Sequence, residues 1–196
     1  MEQEIIQPVS RGLLKRELTP ERRMRMTNKS HNEIYVVTAQ EAPNVMLEIG
    51  RLREEAFRTA GGGTGKSADI DEFDTMENGC RQLIVWNPEE EEIIGGYRYL
   101  IGTDWKIDDK GQPVLATSHM FHFSEKFMTQ YAPYTVELGR SFVSLGYQNV
   151  RKNTKSISPS TTSGTALAPS PCSIPTSSIS SVRLRCIPAI SVAAEI

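Results

Sequence analysis

The sequence predicts an α/β fold whose sheet is mostly antiparallel. Three observations carry this expectation. Four short runs are rich in β-branched and aromatic residues, one helix-periodic segment lies between the first and second of them, and a polar turn of hairpin length joins the second to the third. At 196 residues the chain suits one domain with a sizeable core.

The elements follow in order. Met1–Lys29 carries Arg11, Lys15, Arg16, Arg22, Arg23, Arg25 and Lys29 against four acidic residues, and reads as a basic arm over residues 1–30. It is either a solvated helical segment or a docking surface for an acidic partner or an anionic membrane face. Glu33–Thr38 alternates into Ile34, Val36 and Val37 as a first strand. Val45–Phe57 has helical spacing, with Val45, Ile49, Leu52 and Ala56 in one stripe and Arg53 and Phe57 sharing a face beside it. Gly61-Gly62-Gly63 ends that helix. Arg81–Trp86 is a strand, Asn87–Glu92 a turn, and Ile93–Ile101 the hairpin partner, where Gly95-Gly96 allows a close backbone approach or a bulge. Asp104–Pro113 is a second polar turn, Ser124–Tyr131 a short helix capped by Ser124, and Tyr134–Val143 the fourth strand. The core runs over residues 31–157.

Three charges interrupt strands that should be apolar. Arg98 lies within the third, and Glu137 and Arg140 within the fourth. Burying a charge costs several kcal/mol unless it is paired, so each needs a partner or a task. Strict alternation would send Glu137 and Arg140 to opposite faces; a bulge seated at Gly139 would change that, and the sequence leaves both arrangements open.

Other features exclude more than they assign. A net charge of −2 supplies no general field for nucleic acid. No apolar run approaches the roughly 18 residues of a bilayer span, and the three cysteines suit a reducing cytoplasm. His31, His119 and His122 lack metal-ligand spacing, so no metal site is expected. Ala60–Ser67 satisfies a relaxed phosphate-loop pattern in the wrong context: a charged helix precedes it and the acidic run Asp69–Asp74 follows. A mobile loop over a site suits it better than a nucleotide cradle.

After Lys155 the composition changes. Between Ser156 and Val182, 18 of 27 residues are Ser, Thr or Pro. Residues 158–196 read either as a disordered tail or as the product of a one-base frameshift near Ile157. Read one base out of phase, Ser158–Thr165 permits Phe-Ala-Leu-Asp-Asn-Leu-Trp-Asp, and Ser180–Ile196 permits a comparably aromatic string.

Together these residues resemble the acyl-carrier-dependent branch of the GNAT acyltransferases, which holds autoinducer synthases and the hemolysin-like enzymes that N-acylate ornithine or glycine. The match covers about Met1–Ile157. Arg53 and Phe57 correspond to an arginine and an aromatic on the first helix, and Asp71 and Asp74 to an acid pair in the next loop. Arg98 corresponds to a hairpin arginine after small residues, and Glu137 with Arg140 to Glu-x-x-Arg on the fourth strand. The resemblance implies a sheet with helices on both faces. It also implies transfer of a fatty acyl group, in its fuller form a 3-hydroxyacyl group, from acyl carrier protein to an amino-acid α-amine in aminolipid synthesis. No bound cofactor is implied; the donor is the carrier's phosphopantetheine thioester. Glu137 is then the general base, with Asp71 or Asp74 as alternatives, while Arg53, Phe57, Arg98 and Arg140 bind substrate or hold the acids. The bland alternative is an ion network that only braces loop to sheet. The region beyond Ile157 should complete the acyl cleft, so the chain as written is expected to be impaired. An autoinducer-type synthase and a non-catalytic carrier-binding remnant are the competing readings.

Overall fold

The computed structural model of the protein describes residues 2–28 and 30–148. In them β1 (Arg23–Met26), β2 (Glu33–Val37), β3 (Arg81–Asn87), β4 (Glu92–Ile101) and β5 (Val136–Val143) pair in chain order. Among the described residues every pairing is antiparallel. The altered composition after Lys155 and the shifted-frame strings lie outside the described residues.

Helix α2 (Pro43–Thr59) covers one face. Its stripe Val45, Met46, Ile49, Leu52 and Ala56 packs with Tyr35, Val37, Ile84, Trp86, Ile93 and Phe142 of the sheet. Each large aliphatic side chain buried there contributes roughly 1.5–3 kcal/mol. On the opposite face Val85 and Ile94 pack with Tyr147 of the short helix Leu145–Gln148. Helices therefore flank the sheet on both sides.

The basic N-terminal segment differs from the expected solvated arm. Helix α1 (Arg11–Glu17) buries Leu14, Leu18 follows it into the same core, and β1 adds an edge strand. Its charges are largely spent internally: Arg11 pairs with Glu92, Lys15 with Glu91 and Arg23 with Glu33, while Arg22 donates to the Glu17 carbonyl. Two leucines in a charged heptad were too few to show as a stripe.

The same segment starts α2. Pro43 opens that helix and Ala42 offers no capping side chain. Instead the Glu17 carboxylate accepts the Asn44 and Val45 amides at 3.1 and 2.8 Å, supplying negative charge where the first-turn N–H groups need an acceptor. At the other end Gly61 takes φ +80°, the Gly61 amide donates to the Arg58 carbonyl, and Gly62 reaches back to Phe57. This is a Schellman ending, which the glycine run announced.

The Gly95-Gly96 pair admits backbone. A Cβ on Gly95 would lie 2.5 Å from the Phe142 carbonyl oxygen, and one on Gly96 would strike the Leu83 carbonyl oxygen. Both sides of β4 carry irregular register nearby, between Val85 and Trp86 and between Gly96 and Arg98.

Candidate active site

The second irregularity builds the site. Arg98 lies opposite Gly139 and Gly96 opposite Phe142, so Arg140 and Ser141 together face the single residue Tyr97. Arg140 takes up the extra residue with φ +52°, a left-handed conformation that costs a non-glycine residue about 1 kcal/mol. Of the two arrangements the sequence left open, the bulge is the one present, and it falls at Arg140, one residue after Gly139. It returns the Arg140 side chain to the face that holds Arg98.

The turn from Asp69 to Asp74 supplies the opposing charges. Asp71 caps the short helix α3 (Glu72–Thr75), accepting from the Phe73 and Asp74 amides, while Asp74 accepts from the Asp71 amide. This reciprocal box fixes both carboxylates before any side-chain cation arrives. Arg98 then reaches Asp71 at 2.6 Å and Asp74 at 3.3 Å, and stands 5.6 Å from the Phe73 ring centre. Arg53, wholly buried, pairs with Asp74 at 3.2 Å and donates to Gln82 at 2.5 Å, and Gln82 in turn donates to Asp74. Arg140 lies 3.5 Å from Asp71 and 3.4 Å from Asp69.

Electrostatics separate these groups by role. Burial alone would raise the Asp71 carboxyl, but the Arg98 hydrogen bond and charge, with Arg140 behind, hold it below its ordinary value. Burial opposes the charge on Arg98 as well; Asp71 and Asp74 outweigh it and raise that guanidinium's pKa. Burial lowers Arg53, with Asp74 opposing, and an arginine so placed stays protonated. The Cys80 thiol, buried beside this cluster, is pushed up to about 12 by desolvation and is no nucleophile at neutral pH.

Glu137 stands apart from the ion pairs. It faces Leu100 across the ladder, on the same face as Arg98. One carboxylate oxygen accepts the Thr117 amide at 3.0 Å, and among the described residues it forms no ion pair. Thr117 belongs to the 3-10 turn Ala116–His119. That turn also borders a groove of about 600 Å³ between α3 and residues 108–122, with Phe73, Met76, Val114, Leu115, Met120 and Phe121 among its lining residues.

Six of the seven sequence-predicted residues therefore share one face of the sheet: Arg53, Asp71, Asp74, Arg98, Glu137 and Arg140. Phe57 does not join them. It packs, partly buried, against the apolar core that α2 forms with the sheet. Sequence reasoning missed Asp69, Gln82 and Phe73. Asp69 and Phe73 were visible only as members of an acidic run, and Gln82 was a polar residue at an inward position of β3 that alternation could have flagged.

The glycine-rich stretch is neither phosphate cradle nor mobile lid. The buried Glu54 carboxylate accepts the Thr64 and Gly65 amides at 3.0 and 2.9 Å, the Thr64 hydroxyl at 2.6 Å and Arg58 at 2.9 Å. The amides a phosphate would need are already taken. Residues 3–6 pin the outer side through Gln3 to Gly65 and Ile6 to Ser67.

Residues 52–155, more than half of the chain, match the acetyltransferase (GNAT) domain, and the chain belongs to that family. Among its relatives is a glycine N(alpha)-acyltransferase of Bacteroides thetaiotaomicron, 67% identical over 155 residues that make up 79% of this chain and 46% of the relative. A glycine N(alpha)-acyltransferase of Phocaeicola vulgatus is 64% identical over 155 residues, 79% of this chain and 48% of the relative. The chain thus spans about half the length of the curated relatives it matches. No solved structure matches it. No helix among the described residues is long and apolar enough to cross a membrane.

Proposed function

We propose that this chain carries the acceptor side of an N-acyltransferase that moves a fatty acyl group from the thioester of an acyl carrier protein to the α-amine of glycine. One observation carries the reading: the β5 bulge puts an open carboxylate, Glu137, and a partly exposed guanidinium, Arg140, on one face beside a fixed acid cluster. The relatives' names support glycine as the acceptor.

The chemistry follows from these positions. The glycine carboxylate pairs with Arg140, whose outer N–H groups are the least committed of the three guanidinia. Its amine attacks the thioester carbon, a C–N bond forms, the C–S bond breaks and the carrier thiol leaves. Glu137, steadied at one oxygen by Thr117, takes the amine proton directly or through water. Main-chain N–H groups along the outer edge of β5 suit the developing oxyanion. The apolar groove beside the Ala116–His119 turn gives an acyl chain a place to lie. Asp71 and Asp74 serve as bracing, since Arg98 and the capping box occupy their oxygens. A 3-hydroxyacyl donor, an aminolipid product and contact with the inner membrane face extend the same reading.

The composition change after Lys155 is the motive for a shift of reading frame near Ile157. Sequencing the coding DNA tests that directly. The expected result for function is N-acylglycine, seen by mass spectrometry, from the frame-restored protein given carrier-bound acyl thioester and glycine, with far less from the chain as written. No product from the frame-restored protein would sink the reading. Product that requires S-adenosylmethionine would mark an autoinducer-type synthase, and carrier binding without product a non-catalytic remnant.

A further inference from the structure

Asp69 has no part in the reaction described above, yet its placement is exacting. Its amide donates to the Gly50 carbonyl of α2 at 2.9 Å, and Ile70 packs so closely on Gly50 that a Cβ there would sit 2.5 Å from the isoleucine side chain. The main chain therefore fixes where the Asp69 carboxylate lies. That carboxylate is 2% exposed, and its Oδ2 makes no hydrogen bond. What it faces is Nε of Arg140 at 3.4 Å, itself without a hydrogen-bond acceptor.

The cluster holds three arginines and three aspartates. Arg53 and Arg98 are spent on Asp74 and Asp71 and are 0% and 5% exposed. Arg140 alone is open, its side chain 35% exposed, and it leaves the backbone from a left-handed residue on a bulge. A long side chain launched there would sample many rotamers, and holding one in place costs entropy. Its second anchor is Asp71, whose Oδ2 accepts from Arg140 at 3.5 Å while its Oδ1 takes Arg98 at 2.6 Å. The inner edge of the Arg140 fork is thus held by two acids, Asp69 through charge at 3.4 Å and Asp71 through a hydrogen bond.

We infer that Asp69 is a positioning residue: it fixes the Arg140 guanidinium at the bulge so that its outward N–H groups meet the carboxylate of an amino-acid acceptor. This rests on the acceptor site proposed above. Asp69 touches no substrate, and its effect should depend on whether the acceptor carries a carboxylate.

The test is calorimetric titration of the full chain with glycine and with glycinamide, which keeps the amine and lacks the carboxylate. Asp69→Asn should weaken glycine about tenfold and leave glycinamide within about twofold. In an Arg140→Lys background the same change should add little, because the two act as one unit. Equal weakening of both ligands, or none, would overturn the inference. A wild type that binds glycine no better than glycinamide would instead defeat the acceptor reading itself. Should Asp69→Asn fail to fold, Asp69→Glu keeps the charge but displaces it; it too must weaken glycine selectively, and unchanged glycine binding would count against the inference.

Discussion

Glu54 and Glu137 are both glutamates turned inward, and the contrast between them separates scaffold from chemistry. Glu54 is wholly buried, and its two oxygens accept two amides, a hydroxyl and a guanidinium. Burial alone would raise its pKa, but those donors hold it below the ordinary 4.5. A carboxylate so saturated has no lone pair for an incoming proton, and only its ionised form suits its surroundings. Glu137 is half-buried, accepts one amide, and faces the cleft side of the sheet. The difference lies in the number of donors each fold position supplies. Asp71 and Asp74 fall on the Glu54 side of this division, which is why the base is assigned to Glu137.

The sharpest test of that division is Glu137→Gln in the frame-restored protein. Removing a general base costs about 10²–10⁴ in rate, so N-acylglycine formation should fall by that factor while the melting temperature barely moves. Asp71→Asn should instead lower activity together with stability. If Asp71→Asn abolished turnover at unchanged melting temperature and Glu137→Gln did not, the two assignments would exchange places.

Arg53→Ala ranks next. It removes the cation from a fully buried pair and leaves Asp74 with Gln82, Arg98 and the Asp71 amide. Breaking such a pair costs about 3–5 kcal/mol, read by urea denaturation. Arg53→Met, which fills the volume but strands the same acid, should be nearly as damaging. A mild effect from either would mean that Arg98 alone neutralises the acid pair.

Much of this was legible beforehand, and particular residues show why. The helix stripe of α2, the hairpin and the Ser124 cap are local patterns, and local patterns survive without tertiary context. Arg98, Glu137 and Arg140 stood out because charge at an inward position violates a local rule. Asp69 was hidden because an acid in an acidic loop violates nothing; its burial arises from the packing of Ile70 on Gly50, a contact between distant elements. The Arg140 conformation was equally out of reach, since left-handed φ at an arginine has no composition signal.

Glu54→Gln probes the scaffold side with a smaller expected loss, about 2 kcal/mol, because its amide group would point donors at donors. Its pH behaviour is the more telling readout. Glu54 and Asp71 both have folded values below their ordinary 4.5 and 3.8. As pH falls, the unfolded chain takes up those protons first, so their stabilisation is whole above about pH 5 and declines below it. Glu54→Gln should flatten the upper part of that decline in melting temperature, nearest 4.5. An unchanged acid limb would mean that the loop amides do not control this carboxyl, and would blur the distinction drawn from it.

The smallest effect belongs to the surface pairs that join α1 to the β3–β4 turn. Arg11 and Lys15 reach Glu92 and Glu91 at 2.8 and 2.6 Å, but both cations are more than half exposed. Pairs of this kind contribute about 0.2–1 kcal/mol each and weaken with salt. Arg11→Ala with Lys15→Ala should therefore shift the melting temperature little, and less again at high ionic strength. Leu14→Ala removes an anchor that is 3% exposed and should cost about 2–5 kcal/mol in either buffer. Reversal of that order would make α1 an electrostatically held arm after all. Its basic residues would then be free to exchange their glutamate partners for an acidic carrier, and that exchange would appear as salt-sensitive carrier binding in the same double variant.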